Sequence, residues 1–267
     1  MIVLGAETTH GLGLMETVTA SPYLIAVLFF IVAFVYSTVG LAGGSSYTAL
    51  MAIFGFSTLA IPMISLALNL FVSTVGSLNF IRGRHAKAGL ILPFLVSSIP
   101  MAYLGGSLRL PTKMFYWILL ISMILVAIRI YAWPSTKTGR SINRTPRIVI
   151  SLAAGSVLGL VAGIVGIGGG VYLVPLIIAL GLGTEKQAAA CGAIFIWLNS
   201  LSGILSRFQH NPIDLTEYIP LIVAALAGGA LGSFMGSHRF SPKVMERILG
   251  VIILTAIAFL IREVAVL

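Results

Sequence analysis

Eighteen consecutive residues, Ile148 to Val165, contain no Asp, Glu, Lys or Arg, and Tyr23 to Val39, Ile219 to Met235 and Ile248 to Ile261 are similar uncharged runs. Each is about long enough to cross roughly 30 Å of hydrocarbon as a helix. Lipid offers no partner for backbone amides, so such runs must satisfy their own hydrogen bonds, and helices do this within one segment. The alternating apolar and polar pattern of a membrane β-barrel is absent. With 58% hydrophobic residues, 9% charged residues and a mean hydropathy of +1.09, the chain is expected to be an all-α, polytopic helical membrane protein.

Two of these runs end in glycine clusters. Val165 to Pro175 reads VGIGGGVYLVP, and Val39 to Ala49 reads VGLAGGSSYTA. Glycine is unfavourable in a helix interior and tolerates backbone conformations that other residues avoid, so Gly168, Gly169 and Gly170 mark a break. Facing lipid, a break would leave amides unpaired at several kcal/mol each, so it must lie inside protein or line a wet cavity. A short apolar segment follows each cluster, Ser46 to Phe56 and Val171 to Leu182, and then a long one, Leu59 to Phe80 and Ala188 to Phe208.

The plan is therefore repeated. Gly40 maps onto Gly166 with an offset of 126, Gly76 onto Gly203 and Pro93 onto Pro220 with 127, and Pro111 onto Pro242 with 131. Such a steady offset predicts an internal duplication into two five-segment repeats. Residues 1–132 form the first, with an N-terminal extension over 1–20, and 148–267 form the second. Trp133 to Arg147, with Lys137, Arg140 and Arg144, is the basic linker between them. If all ten segments cross and the linker is cytoplasmic, twelve of the sixteen Lys and Arg lie on that side; if the short segments re-enter, ten do. The first arrangement is preferred, and an odd number of crossings per half makes the repeats inverted. The first twenty residues lack the basic start of a cleavable signal peptide.

A net charge of +9 is accounted for by this topology, so no nucleic-acid partner is expected. Cys191 is the only cysteine, which excludes an intramolecular disulfide and a cysteine metal cluster. The seven acidic residues fall at segment ends, in loops or in the N-terminal extension, leaving no carboxylate at mid-depth to bind a cation. A short helix opening after each glycine cluster presents unpaired amides and a partial positive charge, which suits an anion. The candidate solute-binding residues are Gly43, Gly44, Ser45, Ser46 and Asn69 in the first half, and Gly168, Gly169, Gly170, Tyr172, Asn199 and Ser200 in the second. Asn69 and Asn199 stand out because an unpaired amide inside a membrane is expensive. No reactive cluster, metal spacing or phosphate-binding loop points to an enzyme or to a cofactor. A passive anion channel and a non-transporting scaffold are the alternatives to a transporter.

VGLAGGSSYTALMAIFG in the first half, and GIVGIGGGVYLVPLIIALGLGTEKQAAACGAIFIWLNSLSGILSRFQHNPID in the second, resemble the sulfite exporter TauE/SafE family, also called the 4-toluene sulfonate uptake permease family. The resemblance runs from about Tyr23 to Ile261. Pro175 fits the family's proline after the glycines, whereas Ala49, Ala42 and Ser45 depart from its pattern. The resemblance implies a multi-pass permease of the cell inner membrane for sulfite, thiosulfate, sulfoacetate or a related organosulfonate, with protons as a coupling ion to be tested. By analogy its site would use Gly43, Gly44, Gly168, Gly169, Gly170, Asn69 and Asn199. Glycine-rich helices also permit a homo-oligomer.

Overall fold

The computed structural model describes residues 22–38, 43–132, 144–236 and 242–266. The N-terminal extension, Gly40 with its neighbours, and most of the linker lie outside the described residues. Among the described residues the chain is all-helical, without strands: α1 (Pro22–Thr38), α2 (Gly44–Ile53), α3 (Ala60–Arg82), α4 (Ala88–Ser107), α5 (Thr112–Ala132), α6 (Arg144–Val165), α7 (Gly170–Ala179), α8 (Glu185–His210), α9 (Ile219–Gly236) and α10 (Pro242–Val266). A 3-10 turn, Thr216–Tyr218, precedes α9. Helices α3, α4 and α8 and the Arg147–Val165 part of α6 are each long and apolar enough to cross a membrane. Val96, Val157, Val223 and Val251 are 57–65% exposed on the outside of the bundle, as lipid-facing side chains are.

The two short helices share their boundaries. Gly43 and Gly169, immediately before α2 and α7, adopt left-handed conformations with φ of 85° and 73°. At the other end Gly55 and Gly181 are left-handed too. There Gly55 N–H bonds to the Ala52 carbonyl and Phe56 N–H to Met51, while Gly181 N–H bonds to Ile178 and Leu182 N–H to Ile177. This is the same paired C-terminal cap in both places. Each short helix has ten residues and rises about 15 Å, half of the hydrocarbon thickness.

Side-chain register gives the helix directions. Gly76 of α3 packs beside Ala193 of α8, Gly203 packs beside Leu66, and Trp197 Nε1 donates to Thr74 Oγ1 at 2.9 Å, so α3 and α8 are antiparallel. Helix α4 returns antiparallel to α3 after a short turn. Gly155, Gly159 and Gly163 of α6 lie against the carbonyls of Phe94, Ser98 and Ala102 of α4, so α6 runs parallel to α4. Gly183, just after α7, packs on Leu90 at the start of α4. The α6–α7 pair therefore enters and leaves by one face, and the chain is broken in the interior between them. In the same way Gly228 and Gly232 of α9 lie against the carbonyls of Phe30 and Phe34 of α1, which makes α1 parallel to α9.

These two interfaces are the tightest backbone approaches in the bundle's frame. A Cβ at Gly155, Gly159 or Gly163 would stand 2.4, 2.3 or 2.2 Å from the facing carbonyl oxygen, and at Gly228 or Gly232 2.2 Å. Without a hydrophobic force between helices in lipid, small residues at four-residue spacing bring backbones into contact and supply the packing energy. The pairs α4/α6 and α1/α9 each join one helix from 22–132 to one from 144–266, so the halves interlock.

Candidate solute-binding site

Helix α3 carries the polar face on which the two breaks meet. Ser65 and Asn69 are four residues apart and so share that face. Ser65 Oγ donates to the Gly166 carbonyl at 2.8 Å and lies 3.3 Å from that of Gly44. Asn69 Nδ2 donates to the Gly166 carbonyl at 2.9 Å. Gly166 and Gly168 are left-handed, with φ of 85° and 79°, which turns their carbonyls out of the helical direction. A Cβ on Gly44 would stand 2.4 Å from Asn69 Nδ2 and 2.6 Å from the Ile167 carbonyl oxygen, and one on Gly168 would stand 3.1 Å from Asn69 Nδ2. The start of α2 and the break before α7 thus touch each other and Asn69. Asn69 is nine residues into α3, about 14 Å along its axis.

The first turns of α2 and α7 begin at this junction. The Gly43 carbonyl takes its bonds from Ser46 and Tyr47, and that of Gly169 from Tyr172 and Leu173. The N–H groups of Gly44 and Ser45, and of Gly170 and Val171, precede these bonds and have no partner within their own helices. Together with the helix dipoles they make the junction electropositive. Gly43, Gly44, Ser45, Ser46, Asn69, Gly168, Gly169 and Gly170 are all buried, so the junction is occluded from both faces.

The other expected side chains are distributed around it. Ser45 Oγ and Ser46 Oγ both bond Tyr36 Oη of α1, at 2.7 and 2.8 Å. Gly170 packs on Ile196, and the ring of Phe195 lies against Gly169. Asn199, one turn further along α8, donates through Nδ2 to the Phe195 carbonyl at 2.8 Å; Ser200 is fully buried beside it in sequence. Tyr172 turns away: its hydroxyl donates to the Ser122 carbonyl of α5 at 2.6 Å, and its ring borders an apolar cavity of about 620 Å³ between α5, α6 and α7. The junction is thus polar on the α3 side, at Asn69, and apolar on the α8 side, at Ile196.

One residue was not singled out by the sequence. Arg207 of α8 is 2% exposed, and its Nη2 donates to the carbonyls of Gly163 and Ile164 at 2.8 and 2.9 Å. It caps the C-terminal end of α6, where carbonyls lack intrahelical donors and the helix dipole is negative. Its place one residue before the end of the apolar segment Ala188 to Phe208 was the available signal. Removal leaves two buried carbonyls unpaired at about 1–3 kcal/mol each. We expect Arg207→Ala to lower the melting temperature in detergent micelles by several degrees, measured by tryptophan fluorescence; an unchanged melt would show that the cap contributes nothing. Nearby, Asn211 Nδ2 donates to the Gly106 carbonyl at 3.0 Å, and Arg109 reaches the His210 carbonyl at 2.7 Å, tying α4 to the end of α8. In the loop before α9, Asp214 accepts from Thr216 N–H and Oγ1–H, which holds its carboxyl below the usual carboxylate range. Among the described residues there is no group of His, Cys, Asp and Glu able to hold a metal ion.

An all-helical bundle with several spans able to cross a membrane defines a multi-pass helical membrane protein. The family model described as sulfite exporter TauE/SafE matches residues 25–260, and the chain belongs to that family. It is 34% identical over 235 residues to the "Probable membrane transporter protein y4hK" of Sinorhizobium fredii, covering 87% of this chain and 95% of the relative. It is 27% identical to the "Probable membrane transporter protein MJ0441" of Methanocaldococcus jannaschii, over 85% of this chain and 92% of the relative. The "Probable membrane transporter protein YunE" of Bacillus subtilis is 26% identical, over 74% of this chain and 79% of its own. No solved structure matches.

Proposed function

We propose that the chain is a secondary transporter that exports a small sulfur oxyanion, sulfite or a related organosulfonate, across the cell inner membrane. The observation that carries this reading is the meeting of the two glycine breaks with Asn69 of α3, all of them buried. Converging first-turn amides hold the oxygens of an anion without a fixed cation beside them, so binding stays reversible. The family description supports the substrate class. Gly43, Gly44, Ser45, Ser46, Asn69, Gly168, Gly169 and Gly170 form the core of the proposed site, with Asn199 and Ser200 behind it and Tyr172 bracing α7 against α5.

The two halves are, on this reading, inverted repeats. The common offset of 126 between Gly43 and Gly169, and between Gly55 and Gly181, supports the duplication, and the antiparallel course of α3 and α8 supports the inversion. Arg82, Arg84, Lys87, Arg147 and Lys186 gather on the face where α3 ends and α4, α6 and α8 begin, which supports a cytoplasmic assignment of that face by the positive-inside rule. Alternating access then arises as one half moves against the other and uncovers the occluded junction to each side in turn.

The test is flux of radiolabelled sulfite in proteoliposomes, with and without an imposed pH gradient, and with acetate as competitor. Saturable flux that acetate leaves unchanged and the gradient accelerates is expected. Conductive, non-saturating flux would replace this reading with a channel, and absence of any sulfur-anion flux would leave a scaffold.

A further inference from the structure

Asn69 and Asn199 are both fully buried, and each ties its Nδ2 to a backbone carbonyl. Turning either amide over would set oxygen against oxygen, so the carbonyl decides which end of the side chain is which. The Oδ1 atoms of both have no hydrogen-bond partner. An unsatisfied buried acceptor is rare in native proteins and calls for an explanation. Asn69 Oδ1 lies 2.9 Å from where a Cβ on Gly44 would stand, at the junction itself. The junction, where α2 and α7 begin, therefore holds a fixed, unpaired acceptor beside Gly44.

A fully deprotonated oxyanion fits the amides but turns lone pairs toward Asn69 Oδ1. A singly protonated one gives its oxygens to the amides and its O–H to Asn69. We infer that Asn69 is a specificity-determining residue that selects the monoprotonated anion, hydrogen sulfite rather than the sulfite dianion. The inference rests on the sulfur-anion reading above and adds the protonation state to it. It also supplies proton movement without any carboxylate at mid-depth: the proton crosses on the solute, and each hydrogen sulfite that dissociates on the far side releases one proton and one sulfite dianion there.

The experiment is equilibrium exchange of radiolabelled sulfite across proteoliposomes containing the full chain, at equal pH on both sides, from one unit below to one unit above the pKa of hydrogen sulfite. The protonated fraction falls about tenfold over that range, and the KM for total sulfite should rise about tenfold with it. Methanesulfonate, a monoanion with no O–H, should compete at least about tenfold more weakly than hydrogen sulfite. Asn69→Leu, similar in size but without an acceptor, should bring the two competitors together; if it does not fold, the two wild-type readouts decide. A KM for total sulfite that is constant or falls with rising pH, or equal competition by methanesulfonate, would overturn the selection of a protonated solute while leaving sulfur-anion transport standing. No saturable sulfite exchange at any pH would overturn the underlying reading and this one together.

Discussion

Gly163→Leu is expected to abolish the native packing of the bundle. The new Cβ would stand 2.2 Å from the Ala102 carbonyl oxygen and 2.9 Å from the Gly106 nitrogen, both backbone atoms inside α4. No rotamer relieves this, because the collision begins at Cβ. The helices must separate, and the close contacts at Gly155 and Gly159 on the same stripe, and of Gly105 with the Leu160 carbonyl, are lost with it. Loss of a whole interface places the effect above about 4 kcal/mol, the exceptional end of single substitutions. For a chain of this size that is roughly 10 °C or more in melting temperature. Size-exclusion chromatography and thermal melting in mild detergent are the measurements, with Gly89→Ala as the control, since a Cβ there has no heavy atom within 4 Å. A Gly163→Leu protein that runs monodisperse and melts with the wild type would refute the direct backbone contact between α4 and α6.

Gly44→Val should have the largest effect on transport. Its Cβ would meet Asn69 Nδ2 at 2.4 Å and the Ile167 carbonyl oxygen at 2.6 Å, so it wedges α2, α3 and the break before α7 apart at the point where they join. Overpacking of this kind amounts to about 1–3 kcal/mol, which corresponds to roughly 5- to 150-fold in an equilibrium constant. Sulfite exchange is expected to fall within that range, with the fold retained because the α4/α6 and α1/α9 interfaces are untouched. Gly76→Ala, whose Cβ would find only Ala193 at 3.9 Å, should transport normally. If Gly44→Val folds and exchanges sulfite at the wild-type rate, the solute does not bind where the two breaks meet.

Much of this architecture was legible in the chain. Uncharged runs of membrane-crossing length specify helices because lipid forbids every other way of satisfying the backbone. The glycine clusters specify breaks because φ near +80° at Gly43, Gly166, Gly168 and Gly169 is open to glycine and closed to most other residues. These are local rules, and residue identity is enough to apply them. The glycine clusters and the cost of an unpaired amide in a membrane pointed to Gly43, Gly44, Asn69 and Gly168 as candidates, and Gly44, Gly168 and Asn69 lie against one another in the structure.

Other features depended on contacts between residues far apart in sequence. Nothing local distinguishes Asn69, which binds the carbonyl of Gly166 97 positions away, from Asn199, which binds its own helix at Phe195. Nor does local sequence tell that Tyr172 faces Ser122, or that Arg207 ends its reach on α6. The glycine stripe of α6 is ordinary membrane-helix composition by itself, and its role appears only where α4 lies against it at a matching four-residue spacing. The sequence by itself determined where this chain is helical, where it breaks and that it lives in a bilayer, because those follow from how each segment meets its own solvent. Which broken ends meet, which side chain stands between them and which of its atoms is left unpaired were decided only by the tertiary structure, because each depends on the distance between helices that the sequence separates by a hundred residues.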